Sequence, residues 1–261
     1  MKKIIALVLL AVILVFSFAA CSAKKVETTV EGTLTVGFDQ NFPPMGFVDD
    51  NGEFTGFDID LAKETAKRLK LEIALQPIKW ASKDMELDSG NIDCIWNGFT
   101  INGRENDYTW TDPYMANNQV FVVRADSGIT SLSDLAGKTV VVQSDSSAEK
   151  ALAGEQELVN SFGDYIKSAD YDIAIMDLQA GAVDAVAMDE IVANYQIEKR
   201  GLNLSVLEEK LAAEEYGVGF LLGNEALRDK VQKTLEDMAK DGTLAEISNK
   251  WFGKDITTIG K

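Results

Sequence analysis

The most chemically pointed stretch of the chain is 92–104, Ile-Asp-Cys-Ile-Trp-Asn-Gly-Phe-Thr-Ile-Asn-Gly-Arg, where an apolar run passes into a polar turn carrying Thr100 and Arg104. A guanidinium is a planar fork that meets a carboxylate through two parallel charge-assisted hydrogen bonds, each worth on the order of 1.5–3 kcal/mol net. A hydroxyl such as that of Thr100, with nearby backbone N–H groups, can satisfy the remaining lone pairs of the anion. The spacing suits capture of an organic acid. Taken alone, however, an arginine in a turn is more often a solvated surface charge.

Residue types that are missing narrow the chemistry further. The chain has no histidine and two cysteines, Cys21 and Cys94. The usual zinc and copper ligands and the commonest general base are therefore scarce, so neither a metal or other cofactor nor a Ser-His-Asp triad is expected. Cys94 lies among Ile92, Ile95 and Trp96, which reads as a packed thiol in a buried strand. With Cys21 assigned elsewhere, Cys94 has no partner for an internal disulfide. The formal charge is -17, and it becomes more negative if Lys2 and Lys3 are removed. Nucleic acid and anionic lipid would be repelled, and the charge reads most simply as a solubility device.

The amino-terminal end sets the expected location. Lys2 and Lys3 precede an apolar run over 4–16, then small residues before Cys21, which is the pattern of a secretory signal peptide over 1–20. The run is shorter than the roughly 20 residues of a membrane span. Ser17-Phe18-Ala19-Ala20-Cys21 resembles a bacterial lipoprotein box, with Phe18 where an aliphatic residue is usual. Cys21 is then expected to be the lipidated first residue, and two acyl chains suffice for stable anchoring to the cell membrane. Without lipidation the protein would be secreted or periplasmic. Residues 21–32 are polar and aperiodic, as a tether should be.

The remaining length suggests two lobes rather than one core. Short β-branched runs alternate with amphipathic segments: strands are expected over 34–38, 72–77 and 92–96, with a helix over 60–69 capped by Asp58 or Asp60. A second set follows Arg124, with a short capped helix over 131–135, a strand over 139–143 and a helix over 147–153. Helices over 172–180 and 189–196 and strands over 185–188 and 204–207 continue it. A strand over 218–222 and helices over 225–241 and 243–251 close the chain. The alternation indicates mostly parallel α/β sheets. Extended segments at 119–123 and 217–221 lie where one lobe would pass the chain to the other. That gives a discontinuous first lobe, 33–120 plus 219–261, and a second lobe, 121–218.

Several stretches together resemble the bacterial solute-binding protein family 3, the amino-acid receptors of ABC importers. The turn at 92–104 is similar to that family's ligand turn, Gly37-Phe38-Asp39-Gln40-Asn41-Phe42-Pro43-Pro44-Met45 to its opening strand and aromatic loop, and Gly56-Phe57-Asp58-Ile59-Asp60-Leu61-Ala62 to its most recognisable signature. Gly181-Ala182-Val183-Asp184-Ala185-Val186-Ala187-Met188-Asp189 resembles its second-lobe strand. The ending Asp241-Gly242-Thr243-Leu244 with Lys250-Trp251-Phe252-Gly253 also fits, so the likeness runs from Leu34 to Gly253.

The resemblance implies a periplasmic-binding-protein-like fold of type II, two αβα lobes joined by two crossover strands, with the ligand in the interlobe cleft. It implies that Arg104 clamps an α-carboxylate, helped by Thr100 and by the backbone of Asn97, Gly98 and Phe99, although Arg104 follows Thr100 by four residues where five are common. By the same likeness Asp189 pairs with the α-ammonium, Ser146 and Ser147 touch the carboxylate from the second lobe, and Phe42 and Trp80 enclose the side chain. Asp39 and Gln143 would face its distal end, where a carboxylate beside aromatic rings favours a basic or polar tip, as in arginine, lysine or glutamine. Asp58 and Asp60 are expected to cap a helix rather than bind ligand, and Glu208, Glu209, Glu214 and Glu215 to form a solvated face. The implied partner is a membrane permease, and the chain is expected to act as a monomer, not as an enzyme. The rival reading is a cyclohexadienyl dehydratase-like enzyme on the same fold, which needs an Asp or Glu general acid in the cleft. A receptor sensor domain is disfavoured because nothing after Trp251 can span a bilayer.

Overall fold

The computed structural model describes residues 32–261, so the expected signal segment, Cys21 and the tether up to residue 31 lie outside the described residues. The described chain opens with β1 (Thr33–Phe38) and a small antiparallel sheet of β2 (Asn41–Phe42), β3 (Gly46–Val48) and β4 (Phe54–Thr55). There follow α1 (Phe57–Leu69), β5 (Glu72–Pro77), α2 (Lys83–Asp88), β6 (Cys94–Thr100), β7 (Thr109–Trp110) and β8 (Met115–Arg124). The next stretch holds β9 (Thr139–Gln143), α3 (Ser147–Gly154), α4 (Gln156–Ser161), β10 (Asp164–Ser168), α5 (Tyr171–Ala180), β11 (Ala185–Asp189), α6 (Glu190–Arg200) and β12 (Leu204–Val206). β13 (Ala212–Phe220), α7 (Glu225–Asp241) and α8 (Thr243–Phe252) complete it. Among the described residues no helix is long and apolar enough to cross a membrane.

The long sheet runs β10-β9-β11-β8-β13-β6-β1-β5. At one end β1 is parallel to β5 and β6; at the other β9 is parallel to β10 and β11. Parallel neighbours need crossover connections, and the helices between them cover the sheet faces. The two parallel sets are joined by antiparallel β8 and β13, paired over Met115 to Gln119 against Tyr216 to Ala212. Beyond that overlap β8 pairs with β11 and β13 with β6. The midpoint of the crossing is thus near Asn117 and Glu214, N-terminal to the expected spans 119–123 and 217–221. The terminal helices return to the first parallel set: Arg68 on α1 bonds Asp241 (2.7 Å) and the Thr243 hydroxyl (2.9 Å).

Most expected elements stand within a few residues of their places, and 72–77, 139–143 and 225–241 coincide with β5, β9 and α7. The strand expected at 92–96 is shifted to Cys94–Thr100, where every residue is buried because both edges and both faces are covered. The one expected at 218–222 begins six residues earlier, at Ala212. Cys94 is a free, buried thiol, and burial pushes its titration up.

The capping expected of Asp58 and Asp60 is not what their side chains do. Gly56 occupies the N-cap of α1 without a side-chain cap. Asp58 is buried, accepting from Gly98 N–H at 2.6 Å and the Tyr114 hydroxyl at 2.9 Å. Asp60 instead holds Lys250 (2.6 Å) and the Trp251 indole N–H (2.8 Å) of α8. Gly56 has φ 140, and a Cβ there would lie 2.2 Å from the carbonyl oxygen of Met45. Phe57 N–H and Asp58 N–H donate to the carbonyls of Pro44 and Met45, which pins this close approach from both sides. Gly56→Ala combines a forbidden backbone region with a backbone clash and is expected to cost at least about 2 kcal/mol. Urea unfolding midpoints would register it, and an unchanged midpoint would show that the loop yields freely.

Candidate ligand-binding cleft

Asp39, Phe42, Trp80, Asn97, Gly98, Thr100, Arg104, Gln143, Ser146, Ser147 and Asp189 line a single cavity. Asp39 follows β1, Asn97, Gly98 and Thr100 lie on β6, and Arg104 ends the turn after it; Gln143, Ser146, Ser147 and Asp189 come from the second parallel set. Phe99 is the exception. Its ring points away into an aromatic cluster with Trp110 (4.7 Å between centroids), Tyr108 (5.0 Å) and Trp80 (5.4 Å), because successive residues on a strand face opposite ways. Trp80 belongs to that cluster and also lines the cavity. In a larger open groove, Asp112, Gln232, Glu236 and Lys240 pair with one another.

Arg104 is 7% exposed and stacks over the Phe99 ring, its guanidinium carbon 5.4 Å from the centroid. Its guanidinium makes only long bonds to carbonyls, 3.4 Å to Thr100 O and 3.3 Å to Asp145 O. Among the described residues no carboxylate lies within ion-pair distance of it. A buried cation without a counterion is costly, so the site calls for an anion. The hydroxyl of Ser146 caps α3 by accepting from Glu149 N–H, and that of Ser147 accepts from the Gln119 amide.

Across the cavity Asp189 is 3% exposed. It stands at the N-cap of α6 yet makes no cap bond: Asn117 caps that helix by accepting from Ile191 N–H. The Asp189 carboxyl instead accepts from the Tyr216 hydroxyl at 2.5 Å and the Asn117 amide at 3.0 Å. Glu214, expected on a solvated face, is 5% exposed and accepts from Thr100 Oγ1 (2.8 Å), Asn117 (2.6 Å) and Gln119 (2.8 Å). Burial first, then the charge of Glu214, holds the Asp189 carboxyl well above the usual carboxylate range. Among the described residues no cation pairs with either acid, and no group of three or more His, Cys, Asp or Glu is placed to hold a metal ion.

At the far end the Gln143 amide donates to Asp39 Oδ2 at 2.8 Å, joining the two sides. Burial raises the Asp39 titration, and the charges of Asp170 and Asp172 add to the shift. Two more contacts close the seam: buried Lys83 meets Asp145 at 2.6 Å, and Lys150 donates to the carbonyl of Gly103. Glu214, Asn117, Gln119, Tyr216, Lys83 and Asp145 were not singled out as site residues in the sequence. Glu214 had one legible signal, since on an extended strand it shares a face with Tyr216 and Val218.

Residues 34–254 match the model of the bacterial extracellular solute-binding proteins, family 3. The chain is 35% identical over 230 residues to the L-cystine-binding protein TcyJ of Escherichia coli strain K12, covering 87% of this chain and 85% of that one. It is 30% identical over 258 residues to the ABC transporter arginine-binding protein 1 of the same strain, covering 97% and 99%. A solved substrate-binding protein of an ABC uptake transporter from Streptococcus pneumoniae, with bound histidine, superposes with a TM-score of 0.84 at 35% identity, over 87% of this chain and 94% of that one. The chain therefore belongs to family 3 of the bacterial extracellular solute-binding proteins.

One buried acid supports the cleft from behind. Asp58 fixes Gly98, which has φ 55 and lines the cavity, through the 2.6 Å bond to its N–H. Burial raises the Asp58 carboxyl to about 7, against the lowering effect of that bond and of Tyr114. A carboxyl raised on folding opposes folding wherever the unfolded chain is ionised and the native acid must follow, so its penalty grows as pH rises from about 4. Relative to Asp58→Asn, the wild type is expected to gain about 2 kcal/mol of unfolding free energy between pH 7 and pH 5. Urea titrations of both proteins at each pH measure this, and a difference that does not change with pH would contradict it.

Proposed function

We propose that this protein captures a free amino acid with a basic or polar side chain, arginine, lysine and glutamine foremost, and delivers it to the permease of an ABC importer. The carrying observation is that two buried ionisable groups without an ionic partner, the Arg104 guanidinium and the Asp189 carboxyl, line one cavity. A zwitterion supplies the counterion to both. Its carboxylate fits the Arg104 fork, with the Thr100 backbone, Ser146 and Ser147 around it, and its ammonium fits Asp189. The relatives' names support this class of ligand, since cystine, arginine and histidine are all zwitterions at neutral pH.

The far end of the cavity carries the preference among side chains. Asp39, with the charges of Asp170 and Asp172 nearby, favours a cationic or amide tip over a carboxylate. Delivery follows from closure: residues of both parallel sets must contact the ligand together, so the ligand favours the closed form over any open one. Lipidation at Cys21 would hold the protein at the outer face of the cell membrane, close to the permease.

Calorimetric titration is expected to show arginine, lysine or glutamine bound more tightly than glutamate or aspartate; the reverse order would overturn the side-chain preference. Arg104→Ala is expected to weaken binding of the best ligand by on the order of a hundredfold or more, since two charge-assisted hydrogen bonds are lost. Its far-UV circular dichroism should match the wild type. Near-wild-type affinity in this variant would refute the clamp.

A further inference from the structure

Asp189 ends β11 and Glu214 lies on β13, and the two meet across β8. A single amide holds both: Asn117 Nδ2 is 3.0 Å from Asp189 Oδ1 and 2.6 Å from Glu214 Oε1. The other groups bonded to them are neutral, namely the hydroxyls of Tyr216 and Thr100 and the amide of Gln119. The Tyr171 hydroxyl of α5 faces Asp189 as well, and burial with the nearby acids keeps both phenols protonated. Glu190, next in the chain, is tied to Lys210 and Asn118 instead. Asp39 and Arg104 face the same cavity from the first lobe. Two adjoining dry carboxyls with no cation cannot both stay ionised, because mutual repulsion adds to the cost of desolvation.

We propose that Glu214 is the second acid of the amine subsite: beside it Asp189 keeps a proton while the cleft is empty, and the arriving ammonium displaces that proton to solvent. The proposal rests on the zwitterion reading above. The ligand enters as an ammonium and keeps its three protons. The O–H bond of the Asp189 carboxyl breaks and its proton passes to buffer. The pair goes from one negative charge to two, facing the one positive charge of the ligand. Glu214 thereby makes amine recognition dependent on two strands from different parts of the sheet, β11 and β13, and not on Asp189 alone. Below the pH at which the pair loses its proton unaided, affinity should rise with pH.

Isothermal titration calorimetry at pH 6, repeated in buffers of different ionisation enthalpy, counts the protons released on binding L-glutamine and L-arginine. Glutamine has no cationic tip for Asp39 to answer, so its count reports the acid pair; with arginine the difference between wild type and variant does so. The expected result is about one proton released per glutamine by the wild type, with the arginine count about one lower in Glu214→Gln than in the wild type. A wild-type glutamine count near zero, or equal arginine counts in the two proteins, would overturn the proposal. Should Glu214→Gln fail to fold, the wild type alone decides: its Kd should tighten up to tenfold per pH unit between pH 5 and 6, and a flat Kd would overturn the proposal. Absence of binding by the wild type to all twenty amino acids and to cystine would instead sink the zwitterion reading, and this proposal with it.

Discussion

A guanidinium and a carboxyl, each nine-tenths or more out of water and each without an ionic partner, face one small cavity from opposite sides. In a low-dielectric interior such charges cost several kcal/mol apiece unless something answers them. The protein spreads the cost over neutral donors and acceptors, with carbonyls at Arg104 and hydroxyls and amides at Asp189 and Glu214. These partial partners hold the side chains in position without forming an ion pair with them. On the proposed function, a small zwitterion completes the electrostatics of this site.

The surrounding elements hold those two groups against the one cavity. The antiparallel pair β8 and β13 is the physical bridge between the parallel sets, and its middle carries Asn117 and Glu214, the residues that secure Asp189. Asp58 pins Gly98 in a conformation with positive φ beside Arg104, and the aromatic cluster around Phe99 backs the guanidinium. Across the seam, Lys83 pairs with Asp145 and Gln143 with Asp39. A ligand that shifts an opening equilibrium from 1:99 to 99:1 must contribute about 5.5 kcal/mol of differential affinity. On the proposed function, contacts from the ligand to Asp189, Ser146 and Ser147 supply it.

The elements were legible where their pattern was strong. The β-branched run at 139–143 and the amphipathic repeat at 225–241 fold where they were expected, and the residues read as a cleft from resemblance line one cavity, apart from Phe99. The polar edge strand β10 carries no hydrophobic alternation and was missed. Asp58 looked like a helix cap because helix-start chemistry is local; its true partners, Gly98 and Tyr114, are distant in sequence. Glu214 falls before the strand expected at 218–222, so the face it shares with Tyr216 and Val218 becomes visible only once the strand is seen to begin at Ala212. Only the crossing of β8 and β13, a tertiary fact, turns it inward.

The most direct measurement is a crystal structure of the protein with its tightest amino acid bound. The α-carboxylate is expected within hydrogen-bond distance of the Arg104 guanidinium, and the α-ammonium within the same distance of Asp189. A ligand found with its poles reversed, or seated in an outer groove with those two side chains left unfilled, would contradict the claim that the buried charges define the site.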